Sequence, residues 1–266
     1  MTQFISFSSG SSGNCYFIGN ERISFLIDCG VSLRTLKKRM AENNLELSNL
    51  SMILVSHDHI DHIKHLGNIS QKLFLPVFAT SKVHKALETH PATRDYRMAS
   101  RRAIKKEVFS NHLGVRFVSF EVPHDATETV GFFIDFFGTK FVFMTDLGEL
   151  TESALEYAQS ADYLILESNF DVDMLMKGPY SAQTKTRILE GHGHLSNDQC
   201  ASALKKIYNK NLKAIYLCHL SDNNNTPDKA YKSAYDALTS IGAKIGEDVK
   251  LYCLPRKDSS PLFISE

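Results

Sequence analysis

Charge of either sign is not in excess in this 266-residue chain, where 30 Lys and Arg balance 30 Asp and Glu. That excludes a polycationic coat for nucleic acid but permits a local basic face. Paired cysteines are missing too. Cys15, Cys29, Cys200, Cys218 and Cys253 are odd in number, scattered and without a C-x-x-C spacing. They read as reduced, half-buried thiols, not as a disulfide framework or a zinc knuckle. Met1 to Phe7 lacks a basic segment followed by a long apolar stretch, so no secretory signal is expected. No apolar run approaches the ~18 residues of a membrane-spanning helix. A cytoplasmic protein without membrane contact is the expectation. Linkers, low-complexity tracts and repeats are also lacking, which predicts one large domain over residues 1–266. At 43% hydrophobic residues the chain can bury a core without covalent staples.

Strand-like and helix-like segments alternate instead. Ile5 to Phe7, Tyr16 to Ile18 and Ile23 to Asp28 are short β-branched and aromatic runs separated by Gly and Ser. Leu33, Leu36 and Met40 follow at helical spacing, and Met52 to Val55 is a compact apolar strand. Val115 to Phe120, Gly131 to Phe136, Phe141 to Met144, Tyr163 to Leu166 and Ile215 to Cys218 predict further strands. Helices fit Glu152 to Gln159, Asn197 to Tyr208 and Asp228 to Ser240. Two strand-rich halves with outer helices suggest an α/β fold of four layers, an αββα sandwich. Periodicity alone equally allows a doubly wound sheet.

Chemistry concentrates in Ser56-His57-Asp58-His59-Ile60-Asp61-His62, directly after an apolar strand. Three imidazoles and at least one carboxylate on one loop can point to two centres, and these ligand types accept zinc, manganese or iron. Residues 57–62 cannot close two coordination shells, so distant partners are required. His124, Asp146 and His219 each stand where a predicted strand ends. Asp58 is a candidate to orient a metal-bound hydroxide, with a loop-surface role as the alternative. Glu167, also at a strand end, and His194 would together make a proton donor for a departing alkoxide. Ser196 and Gln199 form an S-x-x-Q capping box, so His194 sits just ahead of a helix start. There Ser196 and Asn197 are candidate phosphate contacts. Lys177, Lys185 and Arg187, between Glu167 and His194, are placed to meet substrate phosphates.

On these residues the chain resembles the metallo-β-lactamase superfamily in its five-histidine, two-aspartate form. The resemblance implies the αββα sandwich and two divalent ions. His57, His59 and His124 would hold one ion, Asp61, His62 and His219 the other, with Asp146 bridging. Glu167 and His194 resemble a pair found in the nucleic-acid phosphodiesterase branch. Ser9-Gly10-Ser11-Ser12-Gly13-Asn14-Cys15, Glu167-Ser168-Asn169 with Asp171 to Tyr180, and Gly193-His194-Leu195-Ser196-Asn197 are similar to the WalJ/YycJ group of small bacterial proteins. That similarity implies a 5′→3′ exonuclease on double-stranded DNA. Two departures stand out: His65 where relatives have Gly, and Phe170 where that group has His.

Some features stay open on sequence alone. The Ser8 to Asn14 loop is a phosphate nest or a plain hairpin turn. The basic run from Arg94 to Lys106 is a polyanion grip or a solvated face. His84, His90, His112 and His192 fit no ligand position and read as surface or loop residues. Alternatives to the exonuclease are an RNA-processing endonuclease or small cyclic-phosphodiesterase with the same site, a carbon-ester or lactam hydrolase, and a metal-stabilised module without activity. Oligomeric state is not legible.

Overall fold

Gly and Ser at the first turn let the chain reverse tightly. β1 (Gln3–Gly10) and β2 (Gly13–Gly19) pair antiparallel with Ser9 opposite Asn14. The Ser8 to Asn14 stretch is thus a hairpin with its turn at Ser11 and Ser12. β3 (Ser24–Ile27) lies antiparallel to β2. From there each connection is a helical crossover, which parallel strands require. α1 (Leu33–Glu42), capped by Ser32, leads to β4 (Leu50–Leu54). α2 (Ile60–Ile63) and α3 (Leu66–Lys72) lead to β5 (Val77–Thr80), and α4 (Ser81–Thr89) to β6 (Arg101–Ile104). β3 to β6 run parallel.

This computed structural model describes residues 1–189 and 193–265. Its contacts divide into two compact units. The first is Met1–Lys105 with Ala126–Glu128 and Pro255–Glu266. Its sheet has seven strands, because the C-terminal strand Phe263–Ile264 adds to the outer side of β1. One core joins Ile5, Phe7, Leu26 and Ile53 of the sheet to Leu36, Met40, Ile69 and Val83 of the helices.

The second unit is Lys106–Asp125 with Thr129–Leu254. β7 (Ser110–His112), β8 (Val115–Glu121), β9 (Val130–Phe136) and β10 (Thr139–Met144) form an antiparallel run. α5 (Glu152–Ala158) then crosses to β11 (Tyr163–Glu167). α6 (Val172–Lys177), α7 (Ala182–Leu189) and α8 (Asn197–Ile207) precede β12 (Ala214–Cys218). α9 (Pro227–Ser240) leads to β13 (Lys250–Cys253). β10 to β13 are parallel, giving a second mixed sheet of seven strands in the order β13-β12-β11-β10-β9-β8-β7. Leu164, Leu166, Ile215 and Leu217 of its strands share a core with Ala154, Leu204, Ala234 and Leu238 of α5, α8 and α9.

Two mixed sheets with flanking helices replace the single doubly wound sheet that periodicity left open. Among the described residues, no helix is long and apolar enough to cross a membrane. Two expectations need correction. Cys15, Cys29, Cys200 and Cys218 are fully buried, not half-buried: Cys15 and Cys218 lie on β2 and β12, Cys200 on α8, and Cys29 in the segment after β3. His84 is not a surface residue either: it is 5% exposed, accepting a hydrogen bond from the Tyr96 hydroxyl at Nδ1 (2.9 Å) and donating from Nε2 to the Arg102 carbonyl (3.2 Å). His192 lies outside the described residues.

Candidate metal centre

In the first unit β3 and β4 are parallel neighbours in register, Ile27 opposite Leu54. Their C-terminal ends therefore deliver Asp28 and the Ser56–His62 segment to one edge; the loop expected there ends at His59, and Asp61 and His62 stand on α2. His57 and His62 are buried there, with ring centroids 4.1 Å apart, and His59 packs edge-on to His57 at 4.7 Å. Asp61 Oδ2 lies 3.5 Å from His62 Nε2. Asp28, which sequence reasoning passed over, holds this loop. Its carboxylate accepts from the Ser56 amide (2.9 Å), the Ser56 hydroxyl (2.7 Å) and His62 Nδ1 (2.7 Å). A proton fixed on Nδ1 makes Nε2 the lone-pair atom, the arrangement by which a carboxylate orients a metal-binding histidine. Nothing in the sequence of Asp28 marks it apart from its place at a strand end before Cys29-Gly30. Gly30 is required for a different reason: a Cβ there would stand 1.9 Å from the Asp61 carbonyl oxygen and 2.4 Å from the Asn14 nitrogen.

Asp58 is half-buried, and its carboxylate accepts from both the amide and the hydroxyl of Thr127. It anchors residues 126–128 to the His loop. His65 is half-buried at the start of α3, and burial, followed by the charge of Lys64, pushes its imidazole pKa down.

The second unit repeats the logic on three adjacent parallel strands. Met144 is in register with Leu166, and Glu167 with Cys218. Strands about 4.8 Å apart thus present Asp146, Glu167 and His219 side by side. One ligand atom each from Asp146, Glu167, His194 and His219 lie within 4.8 Å of one another. Asp146 Oδ1 is 3.4 Å from His219 Nδ1, 3.6 Å from His194 Nδ1 and 3.8 Å from His124 Nε2, while its Oδ2 accepts from Thr145 (2.8 Å). His124 donates from Nδ1 to the Gly193 carbonyl, again making Nε2 the lone-pair atom.

Glu167 is fully buried and fully used. Oε1 takes His194 Nδ1 at 2.8 Å and His219 Nδ1 at 3.0 Å, and Oε2 accepts from the amides of Leu147 and Leu195 at 3.1 Å each. The Glu–His pair expected from sequence therefore exists, and the same carboxylate also orients His219. Burial would raise the Glu167 pKa, but the charge and hydrogen bond of His194 and the bond from His219 outweigh it and hold the carboxyl low. For His194, burial lowers the pKa and the Glu167 and Asp146 carboxylates more than reverse that. Metal ions would redistribute both.

Three residues of these clusters, Asp28, Asp146 and His219, have left-handed backbone with φ of 59°, 54° and 52°. Such conformations are costly for side chains other than Gly, Asn, Asp or His and gather at functional sites. The donor set fits divalent ions of borderline hardness. It consists of imidazoles with tautomers fixed by hydrogen bonds and of buried carboxylates, and such buried His/Asp clusters are consistent with a binuclear metal site.

The candidate substrate contacts divide. Ser196 caps α8 reciprocally with Gln199, so its hydroxyl accepts from the Gln199 amide. Asn197 is buried in an amide network: its Oδ1 accepts from Ser168 (2.7 Å) and Asn225 (2.9 Å). That network explains Ser168 and Asn197 as supports of the Glu167 and His194 loops. Phe170 is buried, and its carbonyl accepts from the Asn197 amide. Lys177 is exposed, Lys185 donates to the Met176 carbonyl, and Arg187 stands 3.4 Å from Asp125. In the basic run, Arg101 pairs with Glu88 and lies over Tyr96, and Lys106 pairs with Glu121. Arg94, Arg97, Arg102 and Lys105 are exposed.

Comparison with known proteins agrees with this geometry. The β-lactamase superfamily domain matches residues 24–219. Exodeoxyribonuclease YycJ of Bacillus anthracis is 32% identical over 250 residues, 92% of each chain. Exodeoxyribonuclease WalJ of Streptococcus pneumoniae serotype 2 is 29% identical over 255 residues, 96% of this chain and 95% of that one. Among solved structures, the metallo-β-lactamase-fold protein YhfI of Bacillus subtilis aligns with a TM-score of 0.69 at 15% identity, covering 97% of this chain and 98% of its own. At that identity the likeness concerns the fold, and the fold is the metallo-β-lactamase one expected.

Proposed function

We propose that this chain, which belongs to the β-lactamase superfamily and is a metal-dependent hydrolase, acts as a phosphodiesterase on nucleic acid, as a DNA exonuclease working 5′→3′ on duplex ends. The observation that carries the reading is the buried Glu167 carboxylate bonded to His194 beside Asp146. A carbon-ester or lactam hydrolase has less need of a separate imidazole acid next to its metal ligands. The names of the relatives, exodeoxyribonucleases, support DNA over RNA.

His57, His59 and His124 are assigned to one ion, Asp61, His62 and His219 to the other, and Asp146 to both. Residues 1–266 are taken as one functional domain. Two divalent ions (zinc, manganese or iron) would supply, when bound, activation of a water nucleophile and stabilisation of negative charge developing on the phosphate. Around them, His194 donates the proton that the departing sugar oxygen needs. Glu167 holds the His194 ring through Nδ1, which leaves Nε2 to carry that proton. Asp58 is assigned the support of the His loop from its Thr127 contacts. Lys177 and Lys185 are assigned phosphate contacts, whereas Ser196 and Asn197 act by fixing the loop that bears His194. A cytoplasmic location suits a DNA substrate.

Labelled duplex DNA, single-stranded RNA and bis-(p-nitrophenyl) phosphate, offered in parallel with manganese, test the reading. Mononucleotides should leave the 5′ end of the duplex, and Asp146→Asn and His194→Ala should each abolish or strongly reduce release. Wild-type release by both variants would remove the site assignment, and a preference for RNA would move the substrate to the RNA-processing alternative.

A further inference from the structure

The Gly/Ser hairpin carries more than a turn. Its last residue, Asn14, is fully buried and reaches from β2 to the His loop within the same unit. Asn14 Nδ2 lies 3.1 Å from the Gly10 carbonyl oxygen, 3.0 Å from Asp61 Oδ2 and 2.9 Å from His62 Nε2. On the other side, Asn14 Oδ1 accepts from the Tyr16 hydroxyl (3.2 Å), which is itself 2.9 Å from Ser9 Oγ. Tyr16 is also fully buried.

Hydrogen-bonding capacity settles which way the carboxamide points. A side-chain amide has two N–H donors and one carbonyl acceptor. Rotated by half a turn, Asn14 would aim its oxygen at the Asp61 carboxylate and its N–H groups at Tyr16, an anion facing a dipole's negative end. The orientation present is the one that satisfies Asp61. Two donors face three acceptors, so the N–H not used by Gly10 is divided between Asp61 and His62. Since Asp28 fixes the proton of His62 on Nδ1, the lone pair on Nε2 competes with Asp61 for that N–H. A cation at Nε2 takes the lone pair and commits the donor to Asp61 alone.

We propose that Asn14 is a positioning residue of the metal centre: its carboxamide, oriented by Tyr16, holds the Asp61 carboxylate beside the His62 imidazole and so sets the affinity of the ion these two ligands share. The backbone supports this. The Gly30 amide donates to the Asn14 carbonyl at 2.8 Å, and Gly30 passes so close to Asn14 and Asp61 that no side chain fits there. Partners that orient a ligand contribute about 10–100-fold in metal affinity when removed.

This inference rests on Asp61 and His62 as ligands, and the experiment separates the two. The full-length protein, loaded with zinc, is challenged with a graded chelator, and retained zinc is counted by elemental analysis. Asn14→Ala should lose one zinc equivalent at about 10–100-fold lower chelator while holding the other as wild type does. Tyr16→Phe, which keeps the packed ring and removes only the hydroxyl, should shift the same equivalent in the same direction by less. Circular dichroism and thermal melting of the variants identify any that fail to fold, in which case Tyr16→Phe carries the test. Folded variants retaining both equivalents like wild type would overturn the role of Asn14, as would equal weakening of both ions. Wild-type retention by Asp61→Asn as well would place the error in the ligand assignment.

Discussion

With Oε1 shared by His194 and His219 and Oε2 taken by two backbone amides, Glu167 has no capacity left for substrate. Its effect on catalysis must therefore pass through the imidazoles. His194→Ala should lower kcat by about 10²–10⁴-fold, the range for a lost general acid, with zinc content unchanged. Glu167→Gln should lower both turnover and zinc retention, because His219 loses its orienting partner; elemental analysis beside steady-state kinetics checks this. His84 gives a pH prediction away from the centre. Burial holds its imidazole pKa below 6.5 although the Arg102 carbonyl bond opposes the shift. A depressed histidine binds its proton more tightly when unfolded, so its stabilisation is full above pH 6.5 and is lost as pH falls towards the folded value. Denaturant unfolding at pH 7.5 and 5.5 should show a loss that shrinks by up to about 1.4 kcal/mol per pH unit in His84→Gln. At this scale the His57–His62 cluster was legible because its histidines and aspartates are nearly contiguous in sequence. Asp28 and Asn14 were not, since a lone polar residue at a strand end or a turn has no signature until its neighbours are known. His84 was misread because burial of a single histidine leaves no periodic trace.

α8 begins directly after the loop that carries His194, and its capping box was legible as Ser196 and Gln199 three residues apart. Ser196→Ala removes the acceptor for the Gln199 amide and should cost about 1 kcal/mol. A fall in Tm of about 2–4 °C by calorimetry is the expected readout, with a smaller effect on kcat than His194→Ala. β4, β10, β11 and β12 were read correctly because strands buried on both faces are continuous apolar runs. β6 was missed, since Arg101-Arg102-Ala103-Ile104 is an edge strand in which only Ile104 is buried. β13 (Lys-Leu-Tyr-Cys) is short and is an edge strand of the second sheet, and α7 buries no residue, so neither has a pattern to detect.

For the molecule as a whole, the fold class was legible from two strand-rich halves, yet the choice of a layered fold over a doubly wound sheet came from the ligands at strand ends. Strand order was beyond reach, because pairing is set by contacts across the chain. Metal should stabilise the folded protein by mass action: zinc at 100 times its Kd adds about 2.7 kcal/mol, so Tm should rise with zinc concentration and fall on chelation. A thermal melt insensitive to zinc, manganese and iron would contradict a resident ion. Left-handed backbone at Asp28, Asp146 and His219 has a consequence for how this protein can change over generations. Each position is constrained twice, by the chemistry of its side chain and by a torsion angle that few residues tolerate. Drift there should favour Asp, Asn, His and Gly, although Phe74, Glu107, Leu113 and Phe137 show that this chain accepts other residues at such angles elsewhere. A descendant that abandons the activity should therefore keep that preference longer than the site chemistry itself.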